Sequence, residues 1–176
     1  MTGNFIPCCN FTLTQEGGFC DVAGDPGGAT NHGITMYTLS AYLGRQATVD
    51  DVRNLTVETA EAIYKPDYWD SLHADLLPLG LDLLAFDFGV NAGPKRSATI
   101  LQKLVGAVAD GDIGPATARA IGQHSTDWLI ASLTVAHIQY YRTLDGFAEF
   151  GDGWIARANR AQVAGYAMAV NSQLHY

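Results

Sequence analysis

Gln15-Glu16-Gly17-Gly18-Phe19 and, a little further on, Asp25-Pro26-Gly27-Gly28-Ala29-Thr30-Asn31-His32-Gly33-Ile34-Thr35 decide how this chain is read. Upstream, the spacing of Phe5, Ile6, Cys9 and Leu13 predicts a helix that ends near Glu16, because a glycine pair is a natural helix stop. Between Phe19 and Thr35 the helical pattern breaks into glycines, a proline and short β-prone pieces, which predicts a loop or small hairpin. After Thr35 helical signals return and persist. The expected fold class is therefore mainly α, with one small β-hairpin or loop region near the N-terminus.

Working outward, helices are expected at Met36–Leu43, Val49–Leu55 and Val57–Tyr64, each preceded by a threonine able to cap it (Thr35, Thr48, Thr56). Pro66 and Pro78 bracket a connection that contains Tyr68 and Trp69. Leu79–Val90 is apolar on nearly every face apart from Asp82 and Asp87 and reads as a buried central helix. Gly93-Pro94 opens a further helix to about Val105, and the turn-rich Asp110–Pro115 leads into a short helix through Ile121. Two long helices are expected at the end, Thr126–Leu144, apolar nearly all round and so expected to pass through the core, and Trp154–Val170. There is no internal repeat and no linker, so residues 1–176 are expected to form one unit.

With 48% hydrophobic and 16% charged residues, the chain is excluded from the disordered and fibrous classes. Its longest apolar stretches, Leu76–Leu84 and Trp128–Ile138, are too short or too interrupted to span a bilayer, so no stable membrane insertion is expected. Eighteen acidic against ten basic residues give a net charge of −8, which argues against nucleic acid as a partner. Cys8, Cys9 and Cys20 make no disulfide framework and read as buried or free thiols of a reducing compartment, with no positional support for a thiol nucleophile. His32, His73, His124, His137 and His175 have no paired metal-ligand spacing, so neither a metal nor another cofactor is implied.

A general acid for acetal cleavage must keep its proton near neutral pH, and a second group usually handles water or charge on the other face of the bond. Glu16 is placed where a helix macrodipole disfavours negative charge, with Phe11, Leu13 and Phe19 near it in sequence. Asp25 and Thr30, returned by the turns at Gly17-Gly18 and Pro26-Gly27-Gly28, are the candidates to face Glu16 across a gap. Turn chemistry alone explains the same residues without any catalysis.

The motifs themselves carry a family likeness. QEGGF (15–19) followed by DPGGATNHGIT (25–35) resembles glycoside hydrolase family 108, the phage and bacterial N-acetylmuramidases of the lysozyme-like superfamily. The likeness continues through IYKPDYWD (63–70), FDFGVNAGP (86–94), DGDIGPAT (110–117) and GDGWIARA (151–158), so it covers nearly the whole chain in order. It implies a lysozyme-like fold, with residues 1–91 as the catalytic segment and 92–176 as a helical segment similar to a peptidoglycan-binding region, packed as part of the same unit. It also implies cleavage of the β-1,4 bond between N-acetylmuramic acid and N-acetylglucosamine in peptidoglycan, with Glu16 as catalytic acid. The spacing of Glu16, Asp25 and Thr30 is similar to the Glu, Asp and Thr of phage-type lysozymes. Where the family usually has tyrosine, this chain has Phe19 and His32. The implied setting is a monomer without a recognisable signal peptide, made in the cytoplasm and reaching the cell wall through a phage holin or another route. Two rivals remain open: a lytic transglycosylase, and a peptidoglycan-binding scaffold that lost turnover.

Phe19, His32, Asn91, Tyr68 and Trp69 are the candidate sugar-contacting residues, although helix capping explains Asn91 and core packing explains Trp69. Asp87, between Phe86 and Phe88, is expected to accept hydrogen bonds from the backbone or an arginine. Asp110-Gly111-Asp112 lacks the later ligands of a calcium loop and reads as a turn. Arg157 and Arg160 beside Trp154 are expected to be a solvated helix face, with a small wall-binding patch as the sharper reading.

Overall fold

The computed structural model describes residues 3–21 and 28–173, with the side chains of 172 and 173 left aside. Helix α1 (Phe5–Glu16) leads into a hairpin of β1 (Thr30–Asn31) and β2 (Ile34–Thr35). Then follow α2 (Met36–Leu43), α3 (Val49–Arg53), α4 (Val57–Tyr64), a π-helical turn over Lys65–Asp70, a 3₁₀ turn over Ala74–Leu76, α5 (Leu81–Ala92), α6 (Pro94–Leu104), α7 (Pro115–Ile121), α8 (Thr126–Tyr141) and α9 (Phe147–Gln173). The chain divides into two compact units, Cys9–Asp67 and a larger one made of the residues before Cys9 and those from Tyr68 on.

In the smaller unit the helix starts follow the sequence closely. Thr35, Thr48 and Thr56 each accept a hydrogen bond from the backbone three residues on, and Thr48 completes a capping box with Asp51. Arg45 grips the same Asp51 at 2.8 and 2.9 Å, so the carboxyl that closes the box is held well below the usual carboxylate range. The core here, among the described residues, is small: Cys9, Leu13, Ala29, Ile34, Leu39, Ala47, Val52, Leu55, Ala60, Ile63 and Tyr64.

The larger unit is organised by α5. Every residue from Leu81 to Gly89 is buried, and α6, α8 and α9 all pack on it. Leu84 approaches α9 closely because Gly165 has no side chain: a Cβ there would lie 2.5 Å from the Leu84 methyl, and one on Gly80 would lie 2.2 Å from the Gly165 carbonyl. Two carboxylates go into the interior with this helix and each draws a distant partner. Asp87 is gripped by Arg157 of α9 at 3.0 and 2.8 Å, the arginine partner that its burial implied. Arg157 is itself only 11% exposed, so it is a buried clasp and not part of a solvated face or a wall-binding patch. Asp82 accepts from Asn4 and from the amides of Gly80 and Leu83, yet burial pushes it up to about 6.

Three expectations change. The last helix begins at Phe147 instead of Trp154: the bare Gly151 lies close against the ring of Phe147, and Trp154 packs on Phe150 and Tyr141. Pro66 does not sit in a plain connection: it lacks an N–H to continue α4, and the chain widens into the π-helical turn at that point. Helix α8 ends at Tyr141, not near Leu144, and buries one face, Leu129, Ile130, Leu133, Thr134, His137 and Tyr141, while Trp128 and Val135 stay exposed.

His137 stacks on Phe88 at 3.8 Å, its Nε2 is buried without a hydrogen-bond partner, and burial holds the ring down at about 3. An unfolded histidine near 6.5 binds a proton that the folded one refuses, so His137 contributes stability above that value that is lost as pH falls below it. Asp82 acts in the opposite sense, since its contribution is present below 3.8 and fades as pH rises through about 6. Replacing His137 with Phe should therefore raise Tm relative to wild type by an amount that grows on acidification from about pH 7 to about pH 4.5, read by differential scanning calorimetry. Arg157→Met should cost about 3 kcal/mol in denaturant unfolding by leaving Asp87 buried without its cation, with the Asp87→Leu/Arg157→Met pair recovering most of the loss.

Candidate active site

Glu16 is the last residue of α1, and Gly17, with a left-handed φ of +76°, turns the chain away immediately after it. No basic residue in the last turn offsets the negative end of the helix dipole. The side chain is half-buried and its Oε1 is shielded from solvent.

The hairpin returns to this carboxyl. Thr30 pairs with Thr35 and Asn31 with Ile34, leaving His32 and Gly33 as a two-residue loop with φ of +52° and +72°. Two successive left-handed residues are the requirement of a type I′ turn, whose twist matches that of the strands. Cys20 bridges Thr30 from the other side through two 2.8 Å backbone hydrogen bonds, so the segment after Glu16 is tied to the hairpin as a third edge. The Tyr64 hydroxyl, at the end of α4, donates to the His32 carbonyl at 2.7 Å. The buried Asn31 amide donates to the carbonyls of Val52 and Arg53, anchoring the hairpin on the C-terminal end of α3.

What meets the Glu16 carboxyl is the bare face of Gly33. A Cβ at that position would lie 2.6 Å from the Tyr64 hydroxyl and 2.8 Å from Glu16 Oε2. Any side chain larger than hydrogen would displace one or both. The arrangement is a carboxyl with one oxygen screened from water and the other fitted against a rigid turn, which suits delivery of a proton in a fixed direction.

The other candidates divide between the units. Thr30, Phe19 and His32 are in the smaller unit with Glu16: Thr30 half-buried in β1, His32 half-buried at the turn, and Phe19 exposed with the Arg53 guanidinium 4.8 Å above its ring. Asp25 lies outside the described residues. In the larger unit Tyr68 is half-buried in the π-helical turn, and Asn91 is exposed near the end of α5 with its amide donating to the Asp87 carbonyl. Trp69 corrects the expectation of a sugar-stacking surface. It is 1% exposed, edge-on to Phe5 and Phe86, with its indole N–H on Asp75, and is a core residue.

Sequence reasoning missed Tyr64 and Gly33 as parts of the site. Tyr64 falls in IYKPDYWD, but nothing in a single sequence connects that motif to a carbonyl of the hairpin. For Gly33 the signal was present, since a two-residue loop between β-prone pairs needs positive φ. Among the described residues no group of three or more His, Cys, Asp or Glu comes together to hold a metal ion. None of the three cysteines forms a disulfide, and the buried Cys9 thiol is pushed up to about 12 by burial and then by Glu61, a poor setting for a thiolate.

Comparison with protein families matches residues 9–93 to glycosyl hydrolase 108 and residues 96–159 to a predicted peptidoglycan domain. A solved structure, that of Brucella abortus SagA, aligns over 96% of this chain and 97% of its own, at 38% identity and a TM-score of 0.84. The chain belongs to the glycosyl hydrolase 108 family. Its fold is mainly α and lysozyme-like, with a small hairpin near the N-terminus, and peptidoglycan is its substrate polymer. No curated protein matches it. Glu16, the Gly33 turn and Tyr64 all fall within the glycosyl hydrolase 108 match, whereas Asp110–Thr117 and Arg157 fall within the peptidoglycan match.

In this family member Gly33→Ala should lower turnover more than about tenfold, because it shifts the carboxyl it touches. The same change should cost about 1–2 kcal/mol through the left-handed φ alone. Gly18→Ala, where a Cβ meets nothing within 4 Å, is the matched control and should change neither. Turbidity loss of purified sacculi and thermal melts read both effects.

Proposed function

We propose that the chain is an N-acetylmuramidase in which Glu16 protonates the glycosidic oxygen of the β-1,4 bond between N-acetylmuramic acid and N-acetylglucosamine. The observation that carries this reading is the placement of Glu16: helix-terminal, half-buried, one oxygen screened and the other seated against Gly33. Proton donation by a positioned acid is worth about 10²–10⁴ in rate, and fixed geometry is what makes the transfer efficient. Asp25 manages water or the oxocarbenium-like charge, and the Thr30 hydroxyl holds the water. Phe19 and His32 contact sugar beside Glu16, with Tyr68 and Asn91 as further contacts. Residues 92–176 hold the wall polymer, and the enzyme works as a monomer on the cell wall.

Glu16→Gln keeps the shape of the side chain and removes the transferable proton. It should reduce turbidity loss on purified peptidoglycan about a thousandfold while leaving the melting temperature close to wild type. Mass spectrometry of the wild-type digest should find reducing muramic ends. Anhydro-muramic ends would replace hydrolysis with the transglycosylase reaction, and sedimentation of the protein with sacculi of constant turbidity would replace both with a binding role.

A further inference from the structure

In a chain with only ten lysines and arginines, three gather around one groove at the start of the peptidoglycan-matching segment. Lys95, Arg96 and Lys103 of α6 line a hollow of about 530 Å³ with Gly93, Thr99 and Tyr140 of α8, and among the described residues no carboxylate belongs to its wall. All three cations lie on exposed positions of α6, while the α6 face that packs inward carries Ser97, Ala98, Leu101 and Gln102. The hollow is therefore basic because α6 segregates its residues, not because a buried network needed charge.

The cations are not consumed equally by the fold. Arg96 lies over the Tyr140 ring at 5.0 Å and donates to its hydroxyl, so its guanidinium is pre-set against an aromatic wall. Lys95 runs its stem past Gly111 and acts electrostatically on Asp110. Lys103 stands in the last turn of α6 and is exposed. A planar fork, an aromatic surface and two exposed ammonium groups, spread along about two turns of helix, suit a ligand with separated carboxylates better than a single compact ion.

We propose that this groove binds the acidic stem peptide of peptidoglycan, with Arg96 and Lys103 receiving its carboxylates and Tyr140 packing on its methyl and methylene groups. The proposal rests on the reading of the wall polymer as substrate, but not on Glu16. A neutral glycan backbone has no use for three cations, whereas the peptides that branch from it carry several carboxylates. Local positive charge also answers the general repulsion between a chain of net charge −8 and an anionic polymer, because at physiological salt only charges within about 8 Å are felt strongly.

The test is titration of the synthetic tripeptide L-Ala-γ-D-Glu-meso-diaminopimelate into full-length protein by calorimetry and by amide chemical-shift mapping. Saturable binding with shifts confined to α6 and Tyr140 is expected, weakening at least fivefold in Lys103→Gln and in Arg96→Gln, and weakening again from about 50 to about 500 mM NaCl. The same peptide with its carboxylates amidated should lose binding. Equal affinity of the amidated peptide, unchanged affinity in both variants, or shifts elsewhere would overturn the proposal. So would inorganic phosphate or glycerol phosphate competing as strongly as the peptide, which would assign the groove to a phosphate polymer. Glu16→Gln protein should bind the peptide like wild type, so loss of hydrolysis and loss of peptide binding are read separately.

Discussion

A helix buried on every side cannot carry carboxylates unless other parts of the chain come to meet them, and α5 carries two. Asp87 and Arg157 are 70 residues apart and both nearly sealed from water, so their two-point contact fixes the rotation of α9 against α5 as well as its distance. Removing two ions from water is expensive, and the bidentate geometry is what makes the arrangement tolerable. The glycine contacts at Gly80 and Gly165 let α5 and α9 approach closely, and the ion pair sets their register. Helices α6 and α8 then pack on faces of α5 already fixed by that choice, which places Lys95, Arg96, Lys103 and Tyr140 around one hollow.

A second constraint governs the smaller unit, and it is conformational. The hairpin needs two consecutive left-handed residues, and one of them must also present no side chain to Glu16. Only glycine meets both demands at position 33. His32, which bears the other left-handed φ, is held by the Tyr64 hydroxyl at its carbonyl, so a strained position is fixed by a buried ring from α4. Asn31 repeats the device on α3. Local turn chemistry and tertiary anchoring thus converge on the residue that touches the candidate acid.

Much of this architecture is legible in the sequence because it rests on local rules. The three threonine caps, the helix stop after Glu16, the largely apolar run of α5 and the Gly-Pro start of α6 depend on neighbours within a turn or two. The long extent of α9 does not, since Gly151 is accommodated by Phe147 and by packing of Trp154 on Tyr141 from α8. Gln102 is another case. It looks like an ordinary surface residue of α6, yet it is fully buried, donates to Asp110, the Asp112 carbonyl and Thr117, and accepts from the Gly111 amide. A turn with part of the composition of a metal loop is organised by one amide side chain. The Glu16 motif was readable, whereas its contact with Gly33 and the role of Tyr64 required the hairpin to be in place.

The carboxylates of the chain separate by access as much as by environment. Asp87 is sealed at 3% exposure and committed to Arg157, and Asp82 is sealed at 2% although burial pushes it up to about 6. Asp82 borders a hollow with Asn4 and Asp75 but offers it almost no surface, so perturbation alone would select a residue poorly placed to act on an external polymer. Glu16 combines partial burial with a remaining exposed portion and an immovable neighbour, which is the combination a proton donor to an external polymer requires. The same criterion disposes of Trp69, whose ring has the chemistry for sugar stacking but no open face, and leaves Phe19 with an exposed ring and a guanidinium on one side.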